Sequence, residues 1–243
     1  TGIIVSRVCF GSLTLGPLCA NLSLAEGKEL LLAAFKLGVT FIDSAEQYKT
    51  YPYIKAALAE TDRPIIVATK TYAQNEHEAS WAREDARIAL GRETLDIFLL
   101  HEVRNAEDFQ SRAAVWQLLL DAKANGIIKA VGISTHSAKV AAMAAAIPEI
   151  DIIHPLVNYA GIGINDGGTP EMLAAAAAAQ QAGKGVYGMK AIAGGGLMHE
   201  AKKALRWAYQ RPELDAVAIG FKDQAELITD IGWINGEDPP EAQ

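Results

Sequence analysis

The chain has 243 residues, half of them hydrophobic, with a formal net charge of −7. That length suits one α/β barrel, which runs to roughly 200–250 residues, and the acidic balance without clustered Lys and Arg argues against a nucleic-acid surface. No run of about 18 apolar residues is present to cross a membrane, Thr1–Phe10 lacks the basic end and cleavage site of a signal peptide, and two cysteines, Cys9 and Cys19, are too few for a disulfide framework. A cytoplasmic protein is expected.

Short β-branched and aromatic runs predict strands at Val5–Phe10, Val39–Ile42, Ile65–Ala68, Leu95–Leu100, Ile127–Ile133, Ile150–Val157, Gly185–Met189 and Ala216–Ile219. Helical stretches lie between them. Ala25–Leu37 stops at Gly38, Asp121–Asn125 at Gly126 and the Ala-rich Ala174–Ala182 at Gly183, each a glycine placed to end a helix. Pro64 breaks the chain before the third run. The strand ends recur about every 30 residues, the length of a βα unit. Eight such units predict an α/β fold, a (β/α)8 TIM barrel, as a single domain over 1–243. The rival is an open doubly wound sheet, but no G-x-G-x-x-G follows the first strand, since Gly11 and Gly16 do not fit it.

In such a barrel, catalytic groups come from the C-terminal ends of the strands. Asp43, Lys70, His101, Ser134 and Asn158 fall there on five successive strands. Singly, each has a bland explanation: Asp43 as a turn cap, Lys70 as a surface lysine, His101 as a structural histidine, and Tyr48, five residues after Asp43, as loop packing. Together they form a constellation of residues suited to proton chemistry and polar ligands. A buried Lys70 needs a counter-ion, and Asp43 can supply one. His77, His136, His154 and His199 show no metal-ligand spacing and are expected to be structural or at the surface, so no metal is expected.

At these residues the sequence resembles the aldo-keto reductase family. Phe41–Tyr48 (FIDSAEQY) resembles the D-x-A-x-x-Y signature, and Ala68-Thr69-Lys70 the strand-ending Thr-Lys. Leu95–His101 (LDIFLLH) resembles the strand that ends in His, and Gly126–Thr135 (GIIKAVGIST) the fifth-strand segment. Gly185–Leu197 (GVYGMKAIAGGGL) and Ala218–Leu227 (AIGFKDQAEL) resemble the seventh-strand and eighth-strand segments of shorter bacterial members. The likeness implies reduction of an aldehyde or ketone with NADPH or NADH. It makes Asp43, Tyr48, Lys70 and His101 catalytic, with Tyr48 the general acid, its pKa lowered by Lys70, Asp43 holding Lys70, and His101 orienting the carbonyl. The implied cofactor residues are Ser134, Thr135, Asn158, Met189, Lys190, Gly194, Gly195, Gly220, Phe221, Lys222 and Glu226. Tyr72 and Trp81 are expected in the substrate pocket, with helix packing the bland reading of Trp81, and Glu102 is expected as a solvated charge ahead of a group that supports His101. Met189 stands where many members stack an aromatic ring on the nicotinamide. The loop near Glu226-Leu227 lacks the Arg that reads a 2′-phosphate, with Lys222 the basic residue nearby, so both cofactors stay open.

The expected partner is a small-molecule carbonyl substrate. Two other readings fit the same residues: a Schiff-base aldolase or lyase with Lys70 as nucleophile, and a nicotinamide-binding protein that senses redox state without rapid turnover.

Overall fold

Eight parallel strands close on themselves in chain order in the computed structural model, which describes residues Thr1–Glu237. Residues 238–243 of the expected domain lie outside the described residues. The strands are β1 (Val8–Gly11), β2 (Phe41–Asp43), β3 (Ile66–Thr71), β4 (Leu95–Leu100), β5 (Ile128–Thr135), β6 (Ile152–Pro155), β7 (Gly185–Gly188) and β8 (Ala216–Ile219). The helices are α1 (Leu24–Lys36), α2 (Tyr51–Leu58), α3 (Glu76–Leu90), α4 (Ala106–Ser111), α5 (Ala113–Ala124), α6 (Ala138–Ala146), α7 (Thr169–Gln181), α8 (Ala201–Tyr209) and α9 (Gln224–Ile234). This is a (β/α)8 TIM barrel.

Side chains alternate along each strand between two cores. Phe10, Ile42, Val67, Phe98, Val131, Ile153, Val186 and Val217 face the helices. Cys9, Phe41, Ala68, Ile97, Leu99, Ala130, Ile152, Tyr187, Ala216 and Ala218 fill the barrel interior. Gly132 belongs to the inward set. A Cβ there would lie 1.9 Å from the Ile152 carbonyl oxygen, so only glycine lets β5 and β6 approach this closely. The helix starts follow the polar residues before them. Ser23, Asn75, Ser137 and Asp223 each accept a backbone N–H in the first turn of α1, α3, α6 and α9.

The base of the barrel is laced by side chains at the start of the even strands. Thr40 Oγ1 accepts the Ser6 N–H at 3.0 Å, and Asp96 Oδ2 accepts the Val67 N–H at 3.0 Å. Asp151 Oδ2 accepts the Val131 N–H at 3.0 Å, and Asp215 Oδ2 the Val186 N–H at 2.7 Å. Arg92 and Lys129 neutralise the buried Asp96. Below this ring Ile3 and Val5 pack against the interior core. The predicted first strand therefore starts late, at Val8, because Thr1–Ser6 underlies the barrel instead of joining its wall. At the other end β3 and β5 run further than predicted, so Lys70 and Ser134 stand inside their strands. No helix among the described residues is long and apolar enough to cross a membrane.

Candidate active site

Asp43 ends β2 and Lys70 is the fifth residue of β3, both on the inward alternation, so their side chains meet inside the mouth of the barrel. The Lys70 ammonium donates to Asp43 Oδ1 at 2.7 Å, to Asp43 Oδ2 at 2.8 Å and to the Ser44 carbonyl at 2.6 Å. Lys70 is 1% exposed. Burial alone would push its pKa down, but Asp43 beside it and Tyr48 above it outweigh burial, and the pKa is raised. This contradicts the Schiff-base reading. An amine nucleophile must be neutral and within reach of substrate, whereas Lys70 is held charged, enclosed and bonded to acceptors.

Tyr48 lies in a short 3-10 turn, Glu46–Tyr48, that follows β2, and is half-buried. Lys70 Nζ sits 5.0 Å from the centre of its ring. Burial is the largest influence on the phenol and Lys70 opposes it, with a net upward shift in pKa. The expected lowering by Lys70 is thus present but outweighed, because the turn tucks the ring out of water.

His101 follows β4 and is buried. Its ring is edge-on to Tyr48, centroids 5.8 Å apart, and stacked on Tyr72 at 4.1 Å. Burial, then the Lys70 charge, pushes its pKa down to about 2, so it is neutral across the working range. Its Nδ1 is buried with no hydrogen-bond partner. Tyr72 reaches past it and donates to Glu102 Oε2 at 2.6 Å. Glu102 therefore braces the ring stacked on His101, with its side chain 36% exposed. It is a non-glycine residue at φ 51°, and this left-handed turn brings its carboxylate back over the mouth, with His136 Nδ1 3.7 Å away.

Two residues of this cluster were not foreseen. The Tyr187 hydroxyl donates to Asp43 Oδ1 at 3.0 Å from β7. His154, on β6, stacks on the Tyr187 ring, centroids 3.8 Å apart at 14°, with its Nε2 3.6 Å from Asp43 Oδ1. Expected to be structural or at the surface, His154 is buried against the carboxylate. The signal was available: both residues sit on the inward alternation of predicted strands, though short of the strand ends.

The remaining predicted residues divide. Ser134 and Thr135 are buried. Ser134 Oγ accepts the Glu102 N–H at 2.8 Å, and the Thr135 hydroxyl donates to the Val103 carbonyl at 2.6 Å. The Asn158 amide accepts the Ile162 N–H at 3.0 Å and donates to the Ile162 carbonyl at 2.9 Å and to the Lys190 carbonyl at 3.4 Å. Met189 is half-buried after β7, and Lys190 is exposed at φ 57°. Gly194 and Gly195 have φ of 62° and 104°, and nothing lies within 4 Å of where a Cβ would stand. Gly220 has no such room, because a Cβ would meet Thr14 at 2.3 Å. The Phe221 ring is buried on Phe10 in the helix-facing core. Lys222 is exposed just before Asp223, the cap of α9, and its N–H donates to Glu226 Oε2 at 2.7 Å. Tyr72 and Trp81 flank a groove of about 520 Å³ that also takes in Glu46, Gln47, Lys49 and His77. Trp81 is 60% exposed and does not pack its helix. Among the described residues no group of three or more His, Cys, Asp or Glu is arranged to hold a metal ion.

Comparison with known proteins adds three findings. An aldo-keto reductase of Mycobacterium avium (strain 104) is 28% identical over 144 residues, 57% of this chain and 49% of that protein, so the match spans about half of the relative's length. A crystal structure of a Pseudomonas aeruginosa protein assigned to the aldo-keto reductases superposes with a TM-score of 0.82 at 19% identity, over 97% of this chain and 92% of that one. An aldo-keto reductase from Bacillus halodurans, in its holo form, gives 0.77 at 17% identity, over 98% and 90%. At these identities the superpositions speak to fold alone. The model of the Aldo/keto reductase family matches residues 7–203, which is most of the sequence, and the chain belongs to that family.

Proposed function

We propose that the chain reduces an aldehyde or ketone to the alcohol with NADPH or NADH, Tyr48 giving the proton. The observation that carries this reading is the meeting of Asp43, Lys70, Tyr48 and His101 at the barrel mouth. Reduction needs a neutral phenol at the moment of transfer. The raised pKa of Tyr48 keeps that proton in place at neutral pH. As the phenol gives it up, the charge that develops on its oxygen faces the fixed Lys70 ammonium, itself balanced by Asp43. His101, neutral, offers the carbonyl a hydrogen bond and no charge. A bound dinucleotide would supply the hydride, which no side chain can donate.

The mouth fits such a cofactor in two respects. Gly194 and Gly195 leave the space a side chain would fill, so a phosphate can come close to the backbone there. Lys222, beside the start of α9, adds a cation at the same end of the barrel. Asn158 fixes its loop through Ile162, and the second lone pair of its Oδ1 is left for the nicotinamide carboxamide. Ser134 Oγ accepts from Glu102 and keeps its own hydroxyl proton for the nicotinamide end. Tyr72 and Trp81 would form one wall of the substrate site.

The test is Tyr48→Phe. It should bind NADPH or NADH as the wild type does, followed by quenching of tryptophan fluorescence, and lose about 10²–10⁴-fold in kcat across a panel of aldehydes and ketones. Wild-type kcat in that variant would remove Tyr48 as the acid. Absence of binding by either cofactor at millimolar concentration would remove the reductase reading.

A further inference from the structure

We infer that Tyr187 and His154 are positioning residues that hold the Asp43–Lys70 pair in place beneath Tyr48. The inference rests on the function proposed above for those three residues, but one of its readouts does not depend on turnover.

Asp43 Oδ1 receives two hydrogens, one from Lys70 at 2.7 Å and one from the Tyr187 hydroxyl at 3.0 Å. A carboxylate only accepts, so Tyr187 must be the donor. Burial, then Asp43, raises the Tyr187 pKa well above its usual value, so this donor stays protonated. Its ring cannot turn away from Asp43. On one side it is stacked on His154 at 3.8 Å, and Phe41 meets its edge at 4.9 Å. His154 is held in turn. The Tyr187 carbonyl only accepts, so Nδ1 of His154, 2.6 Å from it, carries the proton. That leaves Nε2 unprotonated toward Asp43. A proton there would set a second cation against the carboxylate, in competition with Lys70. Burial, opposed by Asp43, keeps the His154 pKa down at about 4, so near neutral pH this competitor is switched off.

The titratable groups of the cluster, the pair included, come from six of the eight strands: Cys9 from β1, Asp43 from β2, Lys70 from β3, His101 after β4, His154 from β6, Tyr187 from β7, with Tyr48 and Glu102 above. Lys70 is the only cation among them near neutral pH. Losing the Tyr187 hydroxyl leaves Asp43 to draw more heavily on Lys70, and the ammonium then does less for a Tyr48 phenolate. Tyr48 should become harder to ionise.

The experiment compares wild type, Tyr187→Phe, His154→Gln and Tyr48→Phe, with circular dichroism to confirm folding. Ultraviolet titration of tyrosine, with the same protein also carrying Tyr48→Phe subtracted in each case, reads the Tyr48 pKa directly. Tyr187→Phe should raise it by about one unit. In the reductase assay kcat should fall about tenfold, with KM and cofactor binding unchanged and the alkaline limb of the rate profile moved upward. His154→Gln keeps a donor for the Tyr187 carbonyl but removes the flat ring, and should move Tyr48 the same way; it decides the matter if Tyr187→Phe does not fold. An unmoved Tyr48 pKa in the folded variants overturns the inference. If Tyr48→Phe reduces carbonyls as well as the wild type while the Tyr48 pKa still moves, the proposed function fails and the positioning role stands.

Discussion

Replacing Asp43 by Asn removes the counter-charge of a lysine that is 1% exposed while keeping the shape of the site. Breaking a buried pair by removing one partner costs about 3–5 kcal/mol, and the low end is expected because the Asn oxygen still accepts one bond. The sharper consequence is in the pH dependence. In the wild type the Lys70 pKa is raised, so this group's contribution is fully present below the unfolded value of about 10.4 and is lost only as pH rises through the folded value. Between pH 7 and 10 it adds no slope. In Asp43→Asn, burial remains and the largest opposing influence is gone, so the folded pKa drops below the unfolded one. The unfolded chain then binds more protons than the folded chain, and stability rises with pH by up to about 1.4 kcal/mol per unit. Urea unfolding of both proteins, followed by tryptophan fluorescence at pH 7, 8, 9 and 10, gives the difference curve. The stability gap should be widest at pH 7 and close toward pH 10. Parallel curves over the whole range would refute the view that Asp43 is what keeps Lys70 charged.

Two more outcomes are expected. His101 and His154 are folded as neutral rings with pKa values of about 2 and about 4, below the unfolded value near 6.5. Protons therefore favour the unfolded chain, and stability should be intact above pH 6.5 and fall as pH drops below it, by up to about 1.4 kcal/mol per unit for each ring; thermal melts from pH 7.5 to 4.5 that stay level would contradict this. Gly132→Ala sets a Cβ 1.9 Å from a backbone oxygen of β6, so strands must separate. A loss of about 3 kcal/mol or more is expected, and a melting temperature within about 2 °C of wild type would show that the barrel wall yields more easily than its geometry implies.

The barrel was legible because strand runs and helix-ending glycines repeat at a fixed spacing, and that rhythm survives errors of a few residues at each end. The site was legible where residues lie at strand ends, as Asp43 and His101 do. Tyr187 and His154 are not legible that way, because each lies short of the end of its strand. Counting in twos along β6 and β7 puts both on the interior face, but only the closed barrel shows that faces from β2, β6 and β7 converge on one carboxylate. The bond from Tyr72 to Glu102 is illegible for a different reason. The left-handed turn at Glu102 is one that sequence assigns to glycine by preference, so nothing local announced that its side chain would fold back onto Tyr72. The net direction of the Tyr48 shift depends on how deeply a three-residue turn is tucked in, a tertiary property that no motif carries.

The bonds at the base have a bearing on how the ring is held in register. Thr40, Asp96, Asp151 and Asp215 each reach back to the strand just before their own, tying β1 to β2, β3 to β4, β5 to β6 and β7 to β8. Each bond is satisfied by one N–H, so a slip of one residue within a couple would break it, at Asp96 leaving a buried acceptor unmatched, and turn the interior side chains outward together. The barrel is thus assembled from four stapled couples, with its alignment fixed at the pole away from the chemistry. Asp43, Lys70, His154 and Tyr187 come one from each of the four couples, so their mutual distances report how well the couples fit one another around the ring.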